Sequence, residues 1–402
     1  MANYFKPADI LLPANCDMER WAVIACDQYT SDLSYWQRVR QCAQGVPSTL
    51  HMILPEAELA DTNEQTIGRI NATMHNYLRE GVFREYPSSY VYVERTLKNG
   101  TIRQGIVGML DLEHYEYDPA KHPMISATED TVLARIPPRV AVRKDAPLEF
   151  PHVLLLCADE KQCMIEQVAA KKAELPLLYS FELMEGGGHI AGWLLQGEAA
   201  RDFDDVLLSY EAQNVYLVGD GNHSLVTAKT CYENLKTAGI DVYDHPARYA
   251  LVELENIYSP AMAFEPIHRV ITQTDPLLLL QALGTICSDD GVSVPWIAGN
   301  QSGEIHLSVK TGELTVGVLQ DFLDQWLEEN PGEIDYIHDA DAATAFARKQ
   351  GAIGFLLPAM PKQALFPFVQ NGRTLPRKTF SMGHGSEKRY YLEGRKLNDN
   401  TL

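Results

Sequence analysis

Apolar and polar positions along this chain change period most sharply at residues 215–236, VYLVGDGNHSLVTAKTCYENLK. Val215 to Val218 form an unbroken apolar run ending at a turn signal, which predicts a short buried strand. Leu225, Ala228, Cys231, Tyr232 and Leu235 then recur at three- and four-residue spacing, one face of a helix. The same reading predicts a helix around Glu64 to Leu78 and a β-rich stretch from Val82 to Asp118, with Asn99-Gly100 as its hairpin turn. Residues 126–143 read as a short helix stopped by Pro137-Pro138. PHVLLLCAD (151–159) is a buried strand followed by a helix to about Lys172. LLYSFELM and HIAGWLL pair across Glu185-Gly186-Gly187-Gly188. RYALVELENIY and FEPIHRVITQ are strands, 276–287 and 314–329 helices, and 352–358 a short strand.

Interleaved strands and helices with many hairpin signals predict a mixed α+β fold. Three regions are expected: a segment over 1–80 packing on the core, a central core over 81–275 carrying the glycine turn, and a region over 276–402 with a basic tail motif.

The chain has 402 residues and a formal charge of −20, from 34 basic and 54 acidic residues. That balance argues against nucleic-acid or anionic-membrane partners, which call for a basic footprint, and leaves small anionic substrates open. Seven cysteines form no CxxC pair, as expected of reduced thiols in the cytoplasm. MANYFKPADILLP has no basic segment leading an apolar run, and the longest greasy stretch is too short for a bilayer, so a cytoplasmic location is expected.

Candidate chemistry centres on Gly219, Asp220, Gly221, Asn222, His223 and Ser224. Two glycines let the backbone turn tightly and approach a ligand, and a helix beginning here offers free N–H groups and a positive dipole end to phosphate. Asp220 and His223 add a carboxylate and an imidazole, suited to metal binding or proton transfer. The competing reading is an ordinary turn and helix cap. Asp27 follows a buried-looking strand, at a strand end or as a helix cap. Glu129, Thr131 and Arg135 share a neighbourhood; Arg135 is either a surface ion-pair partner of Glu129 or a phosphate clamp. His189 follows three glycines, in a substrate-facing position or a plain hairpin loop. His268 and Arg269 end a strand, and Arg377-Lys378, with nearby hydroxyls, suit phosphate oxygens. No GxxxxGK[ST], GxGxxG, GxSxG or HExxH motif is present.

Nine segments, among them WAVIACDQYTSDLSYW, ATEDTVLARIPPRV, LMEGGGHI, VGDGNHSLVTAK and LPRKTFSMG…EKRYYLE, together resemble domain-of-unknown-function family 1015. The Asp-Gly-Asn-His turn is similar to the Asp-Gly-x-His-Arg motif of the ParB/sulfiredoxin-like superfamily, which includes free serine kinases. That likeness implies a ParB/sulfiredoxin-like core with added N- and C-terminal α/β segments. It also implies Asp220 and His223 against phosphates and metal, and a separate carboxylate base, for which Asp27 and then Glu129 are the candidates. Ser224 stands where the superfamily motif usually has Arg, so a cation from Arg269, Arg135 or Lys378 would be needed instead.

The reaction this implies is phosphoryl transfer between serine or O-phosphoserine and a nucleotide (ATP or ADP) or pyrophosphate. Magnesium would be held by Asp220, and phosphate by Gly219, Gly221, Asn222, Ser224, Thr131, Arg135, His268, Arg269, Arg377 and Lys378. The expected partners are a small-molecule substrate and a second copy of the chain as a homodimer. Two alternatives stay open: a ParB-like nucleotide-binding regulator without turnover, and a metal hydrolase in which His189, His223 and His268 converge.

Overall fold

The computed structural model describes residues 3–24, 29, 32–129, 135–151, 153–383 and 385–398. The chain divides into two compact units, Met1–Met262 with His384–Leu402, and Ala263–Gly383. Residues 384–402 belong to the first unit, and the strands Phe264–Pro266 and His268–Thr272 to the second.

An eleven-stranded mixed sheet organises the first unit. From one edge its strands are Tyr115–Glu116, Ile125–Ser126, Tyr216–Asp220, Leu154–Cys157, Tyr249–Asn256, Ile102–Asp111, Phe83–Thr96, Gly188–Leu195 and Leu177–Leu183. Phe5–Lys6 adds to Ile102–Asp111 and Ala8–Pro13 to Phe83–Thr96, so the N-terminal segment joins the sheet. Alternate residues of each strand face opposite sides, and this divides the core in two. Val91, Val93, Val107 and Leu251 face Trp21, Trp36 and Leu392. Tyr90, Tyr92, Ile106, Val252 and Leu254 face Phe203, Leu207, Leu225, Ala228 and Tyr232, the apolar stripes of helices Glu198–Glu211 and Asn222–Thr237.

In the second unit five antiparallel strands run in the order Gln301–Leu307, Cys287–Ala298, Ile353–Phe355, His268–Thr272, Glu333–Ile337. Its core gathers Leu279, Leu283, Val294, Leu319, Leu323, Ile353 and Phe355, supplied partly by helices Pro276–Leu283 and Thr315–Glu329. The fold as a whole is mixed α/β, as the patterning predicted. Among the described residues no helix is long and apolar enough to cross a membrane.

Two local expectations meet a different outcome. Pro137 and Pro138 lie in the first turn of helix Ile136–Arg143, while residues 130–134 before it lie outside the described residues. The N–H groups of a first turn have no intrahelical acceptor, so proline costs nothing there. The helix expected to reach residue 287 ends at Leu283, and Cys287 already opens a strand that pairs with Gln301–Leu307.

Candidate functional site

Tyr216–Asp220 lies between Leu154–Cys157, antiparallel, and Ile125–Ser126, parallel. Its apolar residues Tyr216, Leu217 and Val218 are fully buried, so the strand is fixed up to the point where it delivers Asp220 to the surface of the sheet. Gly221 then turns the chain at φ +86°, and a Cβ there would stand 3.0 Å from Val153. Both the left-handed backbone and the tight space select glycine. The 16-residue helix Asn222–Thr237 starts immediately, with no side-chain cap from Gly221 on its first N–H groups.

Asp220 is held from two sides. Its Oδ1 accepts from the Gly221 N–H at 2.9 Å, and its Oδ2 lies 3.0 Å from Nζ of Lys388. The neighbouring segment clamps the turn: Thr128 donates its hydroxyl to the Val218 carbonyl at 2.7 Å and its N–H to Asn222 Oδ1 at 3.4 Å. Glu129 is the next residue in the chain after Thr128. His223 lies in the first turn of the helix, where its carbonyl accepts from the Thr227 hydroxyl.

Lys388 was not among the candidates, because a lysine in EKRYYLE carries no local signal. Its position is set by buried arginines. Arg95, 3% exposed, donates to the carbonyls of Gly187, Ser386, Glu387 and Lys388, and its guanidinium packs over the Tyr390 ring. Arg103 donates to the Glu387 carbonyl as well. Burial, with Arg103 as a second positive charge, pulls the Arg95 guanidinium down to about 9, still protonated at neutral pH. Arg389 pairs with Glu253 at 2.7 Å and Glu393 at 2.6 Å. The close approach of Glu253 requires Gly105, where a Cβ would run into its carboxylate. Gly187, inside the Glu-Gly-Gly-Gly-His stretch, likewise leaves room for the Tyr390 ring. Three motifs far apart in sequence are thus chained: the glycine loop through Arg95 to residues 386–388, and Lys388 to Asp220.

The other candidates are distributed as follows. Asp27 and Thr131 lie outside the described residues. Arg135 is the residue before helix Ile136–Arg143 and its carbonyl accepts from Arg139 at 2.6 Å; that helix packs against Asn222–Thr237. His189 is within 3.0 Å of the Ser180 hydroxyl on the neighbouring strand, an exposed pair.

His268, Arg269, Arg377 and Lys378 belong to the second unit. His268 is buried, its Nδ1 accepts from the Leu357 N–H at 3.1 Å, and burial with the Arg269 charge lowers its pKa. Arg269 is the next residue of the same strand. It is fully buried and donates to Gln320 Oε1 and to the carbonyls of Ile267, Lys378 and Arg377. Arg377 stands over the Tyr336 ring and donates to its hydroxyl at 3.0 Å. Lys378 carries a left-handed backbone at φ +57°.

Among the described residues no three His, Cys, Asp or Glu side chains gather so as to hold a metal ion. The three-histidine hydrolase centre therefore finds no counterpart there. Asp220, with both oxygens engaged, is no protein-only metal cage.

Fold and turn together define a mixed α/β protein whose sheet delivers an Asp-Gly-Asn-His turn to the start of a helix. The chain belongs to the DUF1015 family, proteins of unknown function, whose family model matches residues 7–395. No curated protein sequence matches the chain significantly. Among solved structures it is similar to free serine kinase in complex with AMP (13% identity, TM-score 0.39, covering 72% of this chain and 91% of that one). It is also similar to a conserved hypothetical protein from Pyrococcus furiosus (12%, TM-score 0.35, 72% and 94%) and to C-terminally truncated SbnI from Staphylococcus aureus (10%, TM-score 0.37, 74% and 84%).

Proposed function

We propose that this protein is a phosphotransferase acting on a small hydroxy amino acid, serine or O-phosphoserine, with a nucleotide or pyrophosphate as phosphate donor or acceptor. The observation that carries this reading is Asp220, held between the Gly221 N–H and Lys388 Nζ at the uncapped start of a 16-residue helix. Phosphoryl transfer needs in-line positioning and charge neutralisation more than covalent help from the protein. The helix start offers N–H donors and a positive dipole end to phosphate oxygens, and His223 in its first turn donates to them. Asp220 would hold magnesium that arrives with the phosphates and neutralises their charge.

In the direction of phosphoserine formation, the serine hydroxyl oxygen bonds to the terminal phosphorus as the bond to the leaving phosphate breaks. The hydroxyl proton passes to a carboxylate base, Glu129 or Asp27. Glu129 follows Thr128, whose hydrogen bonds clamp the turn, and this adjacency in the chain is the reason to test it first.

Phosphorus NMR of the purified protein with magnesium tests the reaction: serine with ATP, ADP or pyrophosphate in one direction, O-phosphoserine with ADP or orthophosphate in the other. A phosphoserine signal that forms or vanishes with one donor–acceptor pair is expected, and Asp220→Asn should abolish it in a folded protein. Near-normal turnover by Asp220→Asn would overturn the assignment. Nucleotide binding by calorimetry without turnover in any tube would instead favour a regulatory nucleotide-binding protein.

A further inference from the structure

Phosphate at a helix start needs a fixed positive partner, and Ser224 supplies none from within the turn. Arg269, a sequence candidate for that partner, spends its guanidinium on its own unit. Lys388 arrives by a different route. Its Nζ stands 3.0 Å from Asp220 Oδ2, its side chain is 11% exposed, and that of Asp220 is 29% exposed, so the pair is largely sheltered yet open to solvent on one side.

The segment carrying Lys388 is unusually well fixed. Two buried arginines, Arg95 and Arg103, spend guanidinium donors on the carbonyls of residues 386–388, and Arg389 is locked to Glu253 and Glu393. Burying guanidinium groups is costly. Here it places one lysine ammonium beside the one carboxylate that ends the strand. A cation fixed in advance loses little freedom on meeting a ligand, which is what preorganised charge contributes to anion binding.

We propose that Lys388 is the phosphate-binding cation of this site, paired with Asp220 in the unliganded protein and donating to the phosphate oxygens of an entering nucleotide or pyrophosphate. The inference rests on the proposed phosphoryl chemistry for its ligand class, but its test separates the two.

Calorimetric titration of pyrophosphate into the wild-type protein, Lys388→Met and Lys388→Arg reads the inference directly. Lys388→Met should weaken pyrophosphate binding by about 10- to 100-fold, the size of one charge-assisted hydrogen bond. Lys388→Arg should recover part of it. The affinity of the folded protein for free serine, which carries no phosphate, should stay near wild type; a merely structural lysine would lower the melting temperature and spare the pyrophosphate affinity of the folded fraction. Unchanged pyrophosphate affinity in Lys388→Met, no recovery in Lys388→Arg, or no pyrophosphate binding by the wild type would each overturn the inference. Wild-type binding that depends on Lys388 without phosphoserine turnover would uphold Lys388 and reject the kinase reading. Turnover by Lys388→Met with an unchanged KM for the donor would do the reverse.

Discussion

Glu255 sits in the middle of the large sheet, fully buried, between Leu156 and Gly105 on its neighbouring strands. Arg103 Nε lies 3.1 Å from its Oε1, yet neither carboxylate oxygen receives a hydrogen bond among the described residues. Burial is the dominant influence, opposed by Arg103 and reinforced by the Glu253 charge, and it raises the carboxyl from 4.5 to about 7. At about 1.36 kcal/mol per pH unit, that difference favours folding of the protonated form by about 3 kcal/mol. Because the folded value lies above the unfolded one, this stability is full below about pH 4.5 and is lost as pH rises through about 7. Glu255→Gln imitates the protonated carboxyl at every pH. Urea unfolding of both proteins should give similar stabilities at about pH 4, and a variant more stable by about 3 kcal/mol at about pH 8. Parallel pH curves would refute the reasoning. A variant less stable than wild type at about pH 8 would show that the Arg103 pair outweighs the cost of burial.

Other perturbations probe the site and its frame. Gly221→Ala forces a left-handed residue against Val153 and should cost about 2 kcal/mol in thermal or urea unfolding, with loss of phosphoryl transfer; a neutral effect on both would mean the turn relaxes freely. Arg95→Met strips buried donors from the carbonyls of Gly187, Ser386, Glu387 and Lys388 and should destabilise by about 3 kcal/mol or more. Amide hydrogen exchange should then quicken across residues 385–393, and unchanged protection there would remove the cradle from the account.

The periodicity of 215–236 by itself determined that a strand, a glycine turn and a helix would follow one another, because the apolar runs and the glycines act locally. The placement of Asp220 at the strand end, Gly221 at the turn and His223 in the first helical turn was legible for the same reason: they sit inside the signal. Helix Ile136–Arg143 carries Pro137 and Pro138 in its first turn, and the sequence does not mark this because a proline pair can open a helix as well as close one. Arg269 and Lys388 mark the real boundary. Nothing local tells a buried arginine bound to four acceptors from a phosphate clamp, and nothing in EKRYYLE marks one lysine over its neighbours. Tertiary structure decided the partners of both, because burial withdraws water as the alternative and leaves each charge to whichever carbonyls and carboxylates the fold has carried to it from distant parts of the chain.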